Sequence, residues 1–431
     1  MKILETSDPV MIGSVCLVAF IVSVAWLTPC RTVDVVDLCW SRLHIGEGER
    51  GMDLTKLLAF AIKNDASDLH LSGGHPPVLR VAGELKPTSD ASLTGEIVRR
   101  MIVGVMTDQQ RAMFDRDWEI DFAISFGNDA RFRVNAFTNA RGAAAVFRRI
   151  PTRIPTLAEL KSPSILTRLA ELPRGLVLVT GPTGSGKSTT LAAMLDHINA
   201  TSANHILTIE DPVEFVHTPK MSVINHREVG SHTRSFARAL KSALREDPDV
   251  ILVGEMRDHE TISLALTAAE TGHLVLGTLH TSSAAKTIDR IIDVFPAGDK
   301  EMVRAMLSGS LEAVVSQALI RTCAGGRVAA HEILVGTPAI RNLIRENGVA
   351  QIQSMIQIGQ RYGMQTMADA VGALVQAGTI SQADAVAVTR AATAEETESM
   401  SSGQSSKGGL FNRSVKEPVK ETGGKGKGYS F

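Results

Sequence analysis

One short motif narrows the fold of this 431-residue chain more than any other segment. Residues 181–188 match the pattern GxxxxGK[ST] in full, between an apolar run at 176–180 and a helical stretch from Thr189 to about Ile198. Glycines in such a loop let backbone N–H groups surround phosphates at the start of a helix. We expect Lys187 to contact the β- and γ-phosphates of a nucleotide and Ser188 to ligate Mg²⁺. The predicted nucleotide-binding residues are Gly181, Pro182, Thr183, Gly184, Ser185, Gly186, Lys187, Ser188 and Thr189.

The segments around this motif predict an α/β domain. Four apolar, β-rich runs at 176–180, 206–209, 250–253 and 274–278 alternate with helical stretches, which is typical of a parallel sheet covered on both faces. After Phe295 the apolar residues follow a helical spacing, and we expect helix there. The residues that carry this spacing are Val303, Met306, Leu307, Leu311, Val314 and Ala318.

Acidic side chains follow two of the predicted strands. Glu255 ends the run 249–255, where it is placed to polarise an attacking water, although Gly254 stands where an aspartate usually ends such a strand. The alternative is a surface glutamate at a strand end. Glu210, Asp211 and Glu214 follow another strand, where they either hold waters on Mg²⁺ or cap the next helix.

Two histidines, His273 and His280, lie on either side of the run 274–278. Their spacing, with no carboxylate at a ligand position, is unlike that of a zinc site. The spacing alone favours two structural, hydrogen-bonded histidines.

The first part of the chain predicts a small α+β domain over residues 52–150, followed by a linker at 151–165. Its first helix carries apolar residues at helical spacing from Leu54 to Ile62. In the strand 131–137, Arg131, Arg133 and Asn135 share one face.

Both ends of the chain differ in composition from the rest. Residues 10–27 form an uncharged stretch of 18 residues, within a 1–51 extension that is either a membrane anchor, a signal peptide or an untranslated leader. We favour the untranslated leader, because residues 46–51 can be encoded by a purine-rich run that resembles a ribosome-binding site directly before Met52. The Ser/Gly/Lys-rich tail at 393–431 is expected to be disordered.

Charge and cysteine usage exclude some classes of protein. The 45 Lys and Arg against 46 Asp and Glu give a net charge of −1, which argues against an electrostatic nucleic-acid binder. None of the 4 cysteines forms a CxxC pair, so a structural zinc site is not expected. Beyond residue 51 only Cys323 remains, which is typical of a cytosolic protein.

A series of longer motifs identifies a family. In order they are ASDLHL, ARFRVNAF, GPTGSGKST, ILTIEDPVEF, ALREDPDVILVGEMRD, AETGHLVLGTLHT, AIRNLIRE and GMQT. From Met52 to about Val388 the chain closely resembles the retraction ATPases of type IV pili, which belong to the secretion ATPase superfamily. The resemblance implies a PAS-like N-terminal domain, a RecA-like ATPase domain over 166–392 with C-terminal helices, and a homohexameric ring with ATP and Mg²⁺ between domains and subunits.

The resemblance also implies roles for residues of this chain. Lys187 and Ser188 are the Walker A contacts, and Glu255 is the catalytic Walker B glutamate. Glu210, Asp211 and Glu214 form an acidic box in which Glu214 lies nearest Mg²⁺. The remaining catalytic residues that it implies are His273 and His280, together with Arg131, Arg133 and Arg148, which approach the γ-phosphate.

For AIRNLIRE the resemblance implies coupling to the pilus machine through Arg341 and Arg345. The implied partner is the platform protein of the inner membrane, which the ring would meet peripherally at its cytoplasmic face, with no nucleic acid involved. Residues 1–51 and the tail have no counterpart in the family. The chain lacks the larger N-terminal region and four-cysteine element of assembly ATPases, which favours retraction over extension. The alternatives are an accessory pilus or secretion-system ATPase, a nucleic-acid translocase, and a ring that binds ATP without turnover.

Overall fold

A computed structural model describes residues 53–390 except 82, 90, 128 and 129. The expected leader or anchor at 1–51 and the expected disordered tail at 393–431 lie outside these residues. Within the part of the chain that the structure describes, no helix is both long enough and apolar enough to span a membrane.

The N-terminal domain, residues 53–150, is a six-stranded antiparallel sheet with three helices packed against it. The strand order is β3-β2-β1-β6-β5-β4. Its elements are α1 (Leu54–Lys63), β1 (Asp68–Ser72), β2 (Val78–Val81), β3 (Glu84–Pro87), α2 (Gly95–Val103), α3 (Asp108–Asp117), β4 (Glu119–Phe126), β5 (Ala130–Asn139) and β6 (Gly142–Ile150).

Local sequence explains how these elements form. Asp53 accepts a hydrogen bond from the Thr55 N–H and so caps α1, and Thr107 and Gln110 form a capping box at α3. The alternation predicted for 131–137 is confirmed, because Phe132 and Val134 are buried while Arg131 and Arg133 lie on the opposite face. The structure therefore presents a polar face of β5 that can meet another domain.

The C-terminal domain, residues 165–390, is built on a seven-stranded sheet of order β13-β12-β7-β11-β10-β8-β9. All neighbouring pairs are parallel except β12 and β13. Its strands are β7 (Gly175–Thr180), β8 (His205–Glu210), β9 (Val223–Glu228), β10 (Val250–Val253), β11 (Leu274–Leu279), β12 (Leu311–Arg321) and β13 (Arg327–Val335). The four predicted strands and the α/β class are confirmed, and the carboxyl ends of β7, β11, β10 and β8 meet at one edge.

The helices of this domain cover both faces of the sheet and bury two large apolar clusters. They are α4 (Ile165–Ala170), α5 (Lys187–Thr201), α6 (Phe236–Ala243), α7 (His259–Glu270), α8 (Ala284–Asp293), α9 (Lys300–Ser310), α10 (Pro338–Arg345), α11 (Ile352–Ile358) and α12 (Met367–Gln376), with 3₁₀ turns at Val349–Gln351 and Gln360–Tyr362. The predicted helix after the phosphate-binding motif is α5, which begins two residues earlier than expected.

The expectation of helix at Leu311, Val314 and Ala318 is wrong. Helix α9 ends at Ser310, and the next residues form β12, which pairs with β7 in parallel and with β13 in antiparallel. Because both faces of β12 are covered, Val314 and Val315 are both buried, and the apolar residues no longer alternate. A continuous apolar run of this kind fits a buried strand as well as a helix, so the spacing of its apolar residues cannot distinguish the two.

Candidate functional site

The phosphate-binding loop adopts a conformation that requires glycine. Gly181, Gly184 and Gly186 have φ angles of +138°, +81° and +89°. A Cβ atom on Gly181 would lie 2.3 Å from the Gln317 carbonyl oxygen and 2.7 Å from Ser185 Oγ. Gly186 then caps α5, whose first residue is Lys187. The loop therefore wraps its backbone N–H groups around the start of a helix, as phosphate binding requires.

Gln317 of β12 fixes this loop to the neighbouring strand. Its Nε2 donates to the Ser185 carbonyl at 2.6 Å, and its Oε1 accepts from the Thr190 hydroxyl at 2.8 Å. Gln317 is buried, so these bonds hold the loop and the first turn of α5 together without competition from water. Sequence analysis missed Gln317 because it lies in the segment that was expected to be helical.

Lys187 folds back onto its own loop. Its Nζ donates to the carbonyl oxygens of Gly181, at 2.8 Å, and Pro182, at 3.1 Å. Burial lowers the pKa of Lys187, and the negative charges of Glu255 and Glu214 oppose that shift. The ammonium group thus lies against its own loop, within electrostatic reach of two of the predicted acids.

Glu255 lies just beyond β10 at the carboxyl edge of the sheet. Its Oε1 is 2.8 Å from Nε2 of His280 and accepts a short hydrogen bond from Nε of Arg257. Burial acts to raise the pKa of Glu255, but the hydrogen bonds and charges of Arg257 and His280 hold that pKa below its ordinary value. Glu255 is therefore ionised at neutral pH and can accept a proton or orient a water. Arg257 was missed, although it lies only two residues after Glu255.

Two acids of the predicted acidic box, Glu210 and Glu214, lie at the end of β8. The Glu214 backbone N–H donates to Oε2 of Glu210 at 3.2 Å. Burial raises the pKa of Glu210 to about 7, while the hydrogen bond from Thr208 opposes this rise. A cavity of about 30 Å³ is lined by Glu210 together with Ser188 and Thr278. The structure thus brings the predicted Mg²⁺ residue Ser188 and the predicted acid Glu210 to one place.

The donor set of this region fits Mg²⁺. Hydroxyl and carboxylate oxygens are the ligands that Mg²⁺ prefers, and it usually keeps several waters and phosphate oxygens rather than an all-protein cage. Within the described residues, no group of three or more His, Cys, Asp or Glu side chains is arranged to hold a metal. Ser188, Glu210 and Glu214 would hold the ion, partly through water.

Two histidines that the sequence did not single out, the buried His217 and the partly buried His226, lie near Glu210. The rings of His217 and His226 stack with their centroids 5.8 Å apart, and burial lowers the pKa of each to about 4, so both are neutral. Nε2 of His226 accepts from the His217 backbone N–H at 3.2 Å, so its Nδ1 carries the hydrogen and donates to Thr208 Oγ1 at 2.8 Å. The Thr208 hydroxyl is then left to donate to Glu210.

The two histidines predicted to be catalytic lie at opposite edges of the sheet. His280 follows β11 at the carboxyl edge and contacts Glu255. His273 precedes β11 at the amino edge, where its backbone carbonyl accepts from the Gly175 N–H and its Nδ1 is 2.9 Å from the Ala268 carbonyl oxygen. Within one subunit the structure brings His280, but not His273, to Glu255, and the catalytic roles of both histidines stay predictions.

The three predicted γ-phosphate arginines have different partners. Arg131 of β5 donates to Oε2 of Glu228 in the C-terminal domain at 3.1 Å. Arg148 donates to the buried carboxylate of Asp68 within its own domain at 2.9 Å. Nε of Arg133 lies 3.9 Å from Oδ1 of Asp121.

Arg133 also acts on the third acid of the predicted box. Burial raises the pKa of Asp211, and the charge of Arg133 opposes that rise. Arg131 and Arg133 therefore face the C-terminal domain, as their shared position on the polar face of β5 predicts.

The two arginines predicted to couple to a partner, Arg341 and Arg345, also differ from each other. Arg341 donates to the carbonyl oxygens of Gly336, Ser308 and Gly309 and to Oε1 of Glu312. It thereby ties α10 to the end of α9 and the start of β12. Arg345 is exposed, with a hydrogen bond of 3.4 Å to Ser308 Oγ. Arg345 is therefore accessible to a partner, whereas Arg341 has a structural role, because its hydrogen bonds hold α10 in place.

We expect Arg341→Ala to lower the free energy of unfolding by about 2–3 kcal/mol, because three carbonyl oxygens and a carboxylate lose a charged donor. Arg345→Ala, its neighbour one turn along, is expected to cost about 0.5 kcal/mol or less. Urea unfolding of the two variants measures the difference. Equal losses would contradict the structural role of Arg341. With the expected difference, Arg345→Ala is the cleaner variant for testing coupling in cells.

Known proteins resemble this chain in sequence and in structure. A sequence model of the family described as "Type II/IV secretion system protein" matches residues 50–409. The type IV pilus retraction ATPase PilT of Pseudomonas aeruginosa is 60% identical over 334 residues, which cover 78% of this chain and 97% of that protein. The twitching motility protein of Neisseria gonorrhoeae is 62% identical over 305 residues, or 70% of this chain and 82% of that protein.

A solved structure agrees with these sequence matches. The crystal structure of the pilus retraction motor PilT with bound ADP superposes with a TM-score of 0.73 at 46% identity, covering 78% of this chain and 97% of that one. The family match spans both domains described above, including the phosphate-binding loop and Glu255. The chain therefore belongs to the type II/IV secretion system protein family, with a nucleotide-binding P-loop domain of the type seen in PilT.

Proposed function

We infer that this chain is an ATP hydrolase of the class that retracts type IV pili. The observation that carries the hydrolase assignment is the position of Glu255. Its carboxylate is ionised, lies at the carboxyl edge of the sheet, and acts electrostatically on the P-loop lysine, Lys187. A carboxylate in that position can orient and deprotonate a water aimed at a bound γ-phosphate. The retraction assignment rests on the names and identities of the two curated relatives.

Each residue of the site then has a role in hydrolysis. Lys187 exchanges the carbonyl oxygens of Gly181 and Pro182 for phosphate oxygens when nucleotide enters the loop. Ser188, with Glu210 and Glu214, would hold Mg²⁺, which when bound would neutralise charge on the phosphates. The Thr208–His226 chain keeps Glu210 in place. His280 and Arg257 keep Glu255 deprotonated and oriented towards the phosphate side.

Domain closure is the proposed link between hydrolysis and work. Arg131, Arg133 and Arg148 lie on the N-terminal domain, and we assign them to the γ-phosphate, where an arginine can be worth about 10³–10⁵ in rate. Closure of this domain on ATP and reopening after hydrolysis would move neighbouring subunits of a homohexamer. Such a ring would act on the platform protein at the cytoplasmic face of the inner membrane, with Arg345 as a contact.

The test is a count of surface pili on cells whose only copy carries Glu255→Gln. We expect more pili than in cells with the unchanged protein, together with loss of twitching, because the motor binds ATP but cannot complete the cycle. Cells without pili would instead indicate a motor that drives extension. A pilus count equal to that of unchanged cells would contradict a role in retraction.

A further inference from the structure

We propose that Glu228 is a positioning residue that competes with the γ-phosphate for Arg131, and that it thereby sets how strongly the site prefers ATP to ADP. The proposal rests on the proposed function in one respect, namely that Arg131 contacts the γ-phosphate of ATP. It adds a partner for Arg131 in the absence of that phosphate.

Glu228 is built into the carboxyl edge of the sheet. It is the last residue of β9 and pairs in register with Glu210, the last residue of β8. Its side chain is 8% exposed. Oε2 accepts from the backbone N–H of Val213 at 3.1 Å, and Oε1 accepts from the Ser231 hydroxyl at 2.9 Å. The carboxylate is therefore held in one orientation by its own domain.

Arg131 approaches this carboxylate from the other domain. Its Nη2 donates to the same Oε2 atom at 3.1 Å, and its side chain is 19% exposed. The Nε of Arg131 is buried and has no hydrogen-bond partner among the described residues. The guanidinium thus makes one charge-assisted hydrogen bond and keeps other donors unused. A second anion could therefore accept further hydrogen bonds from it.

The position of Arg131 relative to the nucleotide side of the sheet supports this exchange. Its charge acts on Glu210 and on His226, both of which lie around the end of β8 next to the P-loop. Glu210 lines the same cavity as Ser188 of the P-loop. In the sheet order β9 lies beyond β8 on the side away from β7, so closure of the N-terminal domain that moves β5 from β9 towards the loop would take Arg131 from Glu228 to a phosphate.

The exchange acts on ATP and ADP differently. Binding of ATP must overcome the hold of Glu228 on Arg131, and the γ-phosphate returns a charge-assisted bond of the same kind. ADP has no γ-phosphate, so Arg131 stays on Glu228 and the ion pair does not oppose binding. A site with this competition binds ATP less tightly than it otherwise would and releases the closed domain once the γ-phosphate leaves.

The isosteric variant Glu228→Gln tests the exchange. The amide oxygen can still accept from the Val213 N–H and the amide nitrogen can donate to Ser231, so only the charge that holds Arg131 is removed. In a Glu255→Gln background, which blocks hydrolysis, calorimetry with Mg²⁺ gives separate dissociation constants for ATP and ADP. We expect Glu228→Gln to tighten ATP binding about fivefold or more, within the range of typical coupling between sites, and to change ADP binding less than about twofold.

A second variant tests whether the effect of Glu228→Gln depends on Arg131. In an Arg131→Ala background the effect of Glu228→Gln on ATP binding is expected to vanish, because the competing group is gone. Glu246→Gln is the matched control. Glu246 pairs at 2.9 Å with Arg227, the neighbour of Glu228 in β9, and both partners of this pair lie in the C-terminal domain. It should leave the ratio of ATP to ADP affinity unchanged.

Three results would overturn the proposal. One is an equal change in ATP and ADP affinity, which indicates damage to the loop. Another is an effect of Glu228→Gln that persists without Arg131. The third is no change in ATP affinity at all. If Arg131→Ala alone weakens ATP binding relative to ADP, the assignment of Arg131 stands even when the exchange fails, and the pilus count with Glu255→Gln tests retraction independently of both.

Discussion

Purified protein carrying Glu255→Gln is expected to hydrolyse ATP about 100- to 10,000-fold more slowly than the unchanged protein, which is the usual contribution of a general base. The reason is the charge of the carboxylate, because glutamine keeps the size of the side chain but cannot take a proton from water. ATP binding should persist, since Lys187 and the loop backbone are unchanged. Phosphate release gives kcat, and calorimetry gives the dissociation constant for ATP.

Glu260→Gln is the matched control for this experiment. Glu260 is an exposed glutamate in the first turn of α7, five residues after Glu255, and its substitution should leave kcat within about twofold of the original. If Glu255→Gln keeps most of the activity, another group activates the water and the role of Glu255 is wrong. If it loses ATP binding as well, the loss of kcat reports a damaged site rather than a missing base.

Gly181→Ala is expected to destabilise the protein by about 3 kcal/mol or more and to abolish nucleotide binding. Two costs combine, namely a φ angle of +138° that side chains rarely adopt and a Cβ atom 2.3 Å from the Gln317 carbonyl oxygen. The loop cannot shift away easily, because Gln317 also holds Ser185 and Thr190. Urea unfolding without nucleotide measures the first effect, and calorimetry with ATP measures the second.

Gly184→Ala separates the two costs. Gly184 also has a positive φ, of +81°, but a Cβ atom there has no neighbour within 4 Å. Only backbone strain of about 1–2 kcal/mol remains. Equal destabilisation by the two substitutions would show that the close approach of Gln317 to the loop does not matter to stability.

Much of the nucleotide site can be predicted from sequence because each of its residues belongs to a short local pattern. The P-loop residues form one contiguous motif, and Glu255 and Glu210 follow short, β-rich and mainly apolar runs that are recognisable as strands. Parallel topology then brings the ends of those strands to one edge. The structure confirms these strands and puts Ser188 and Glu210 on one cavity. The roles of Lys187, Ser188, Glu210 and Glu255 in the site stay predictions.

Gln317 and Glu228 were missed because their roles depend on contacts between distant segments. Gln317 meets the P-loop across 132 positions, and Arg131 meets Glu228 across 97. No local pattern marks such pairs, and the spacing of apolar residues in β12 favoured helix. Arg341 is a related case, because helical spacing identifies an amphipathic helix but cannot show that one arginine on its polar face is occupied by carbonyl oxygens of α9.

Strand β12 is held by side-chain hydrogen bonds at two places, which connect it to different parts of the motor. Near its start Glu312 is held by Arg341 of α10, and five residues later Gln317 is fastened to the P-loop. The two ties are roughly 17 Å apart along a strand. Hydrogen bonds to β7 and β13 stiffen the strand between them. We expect such a stiffened strand to transmit a shift of the phosphate loop towards the AIRNLIRE helix, as far as the register shift between Leu311 and Ala313, where Glu312 lies.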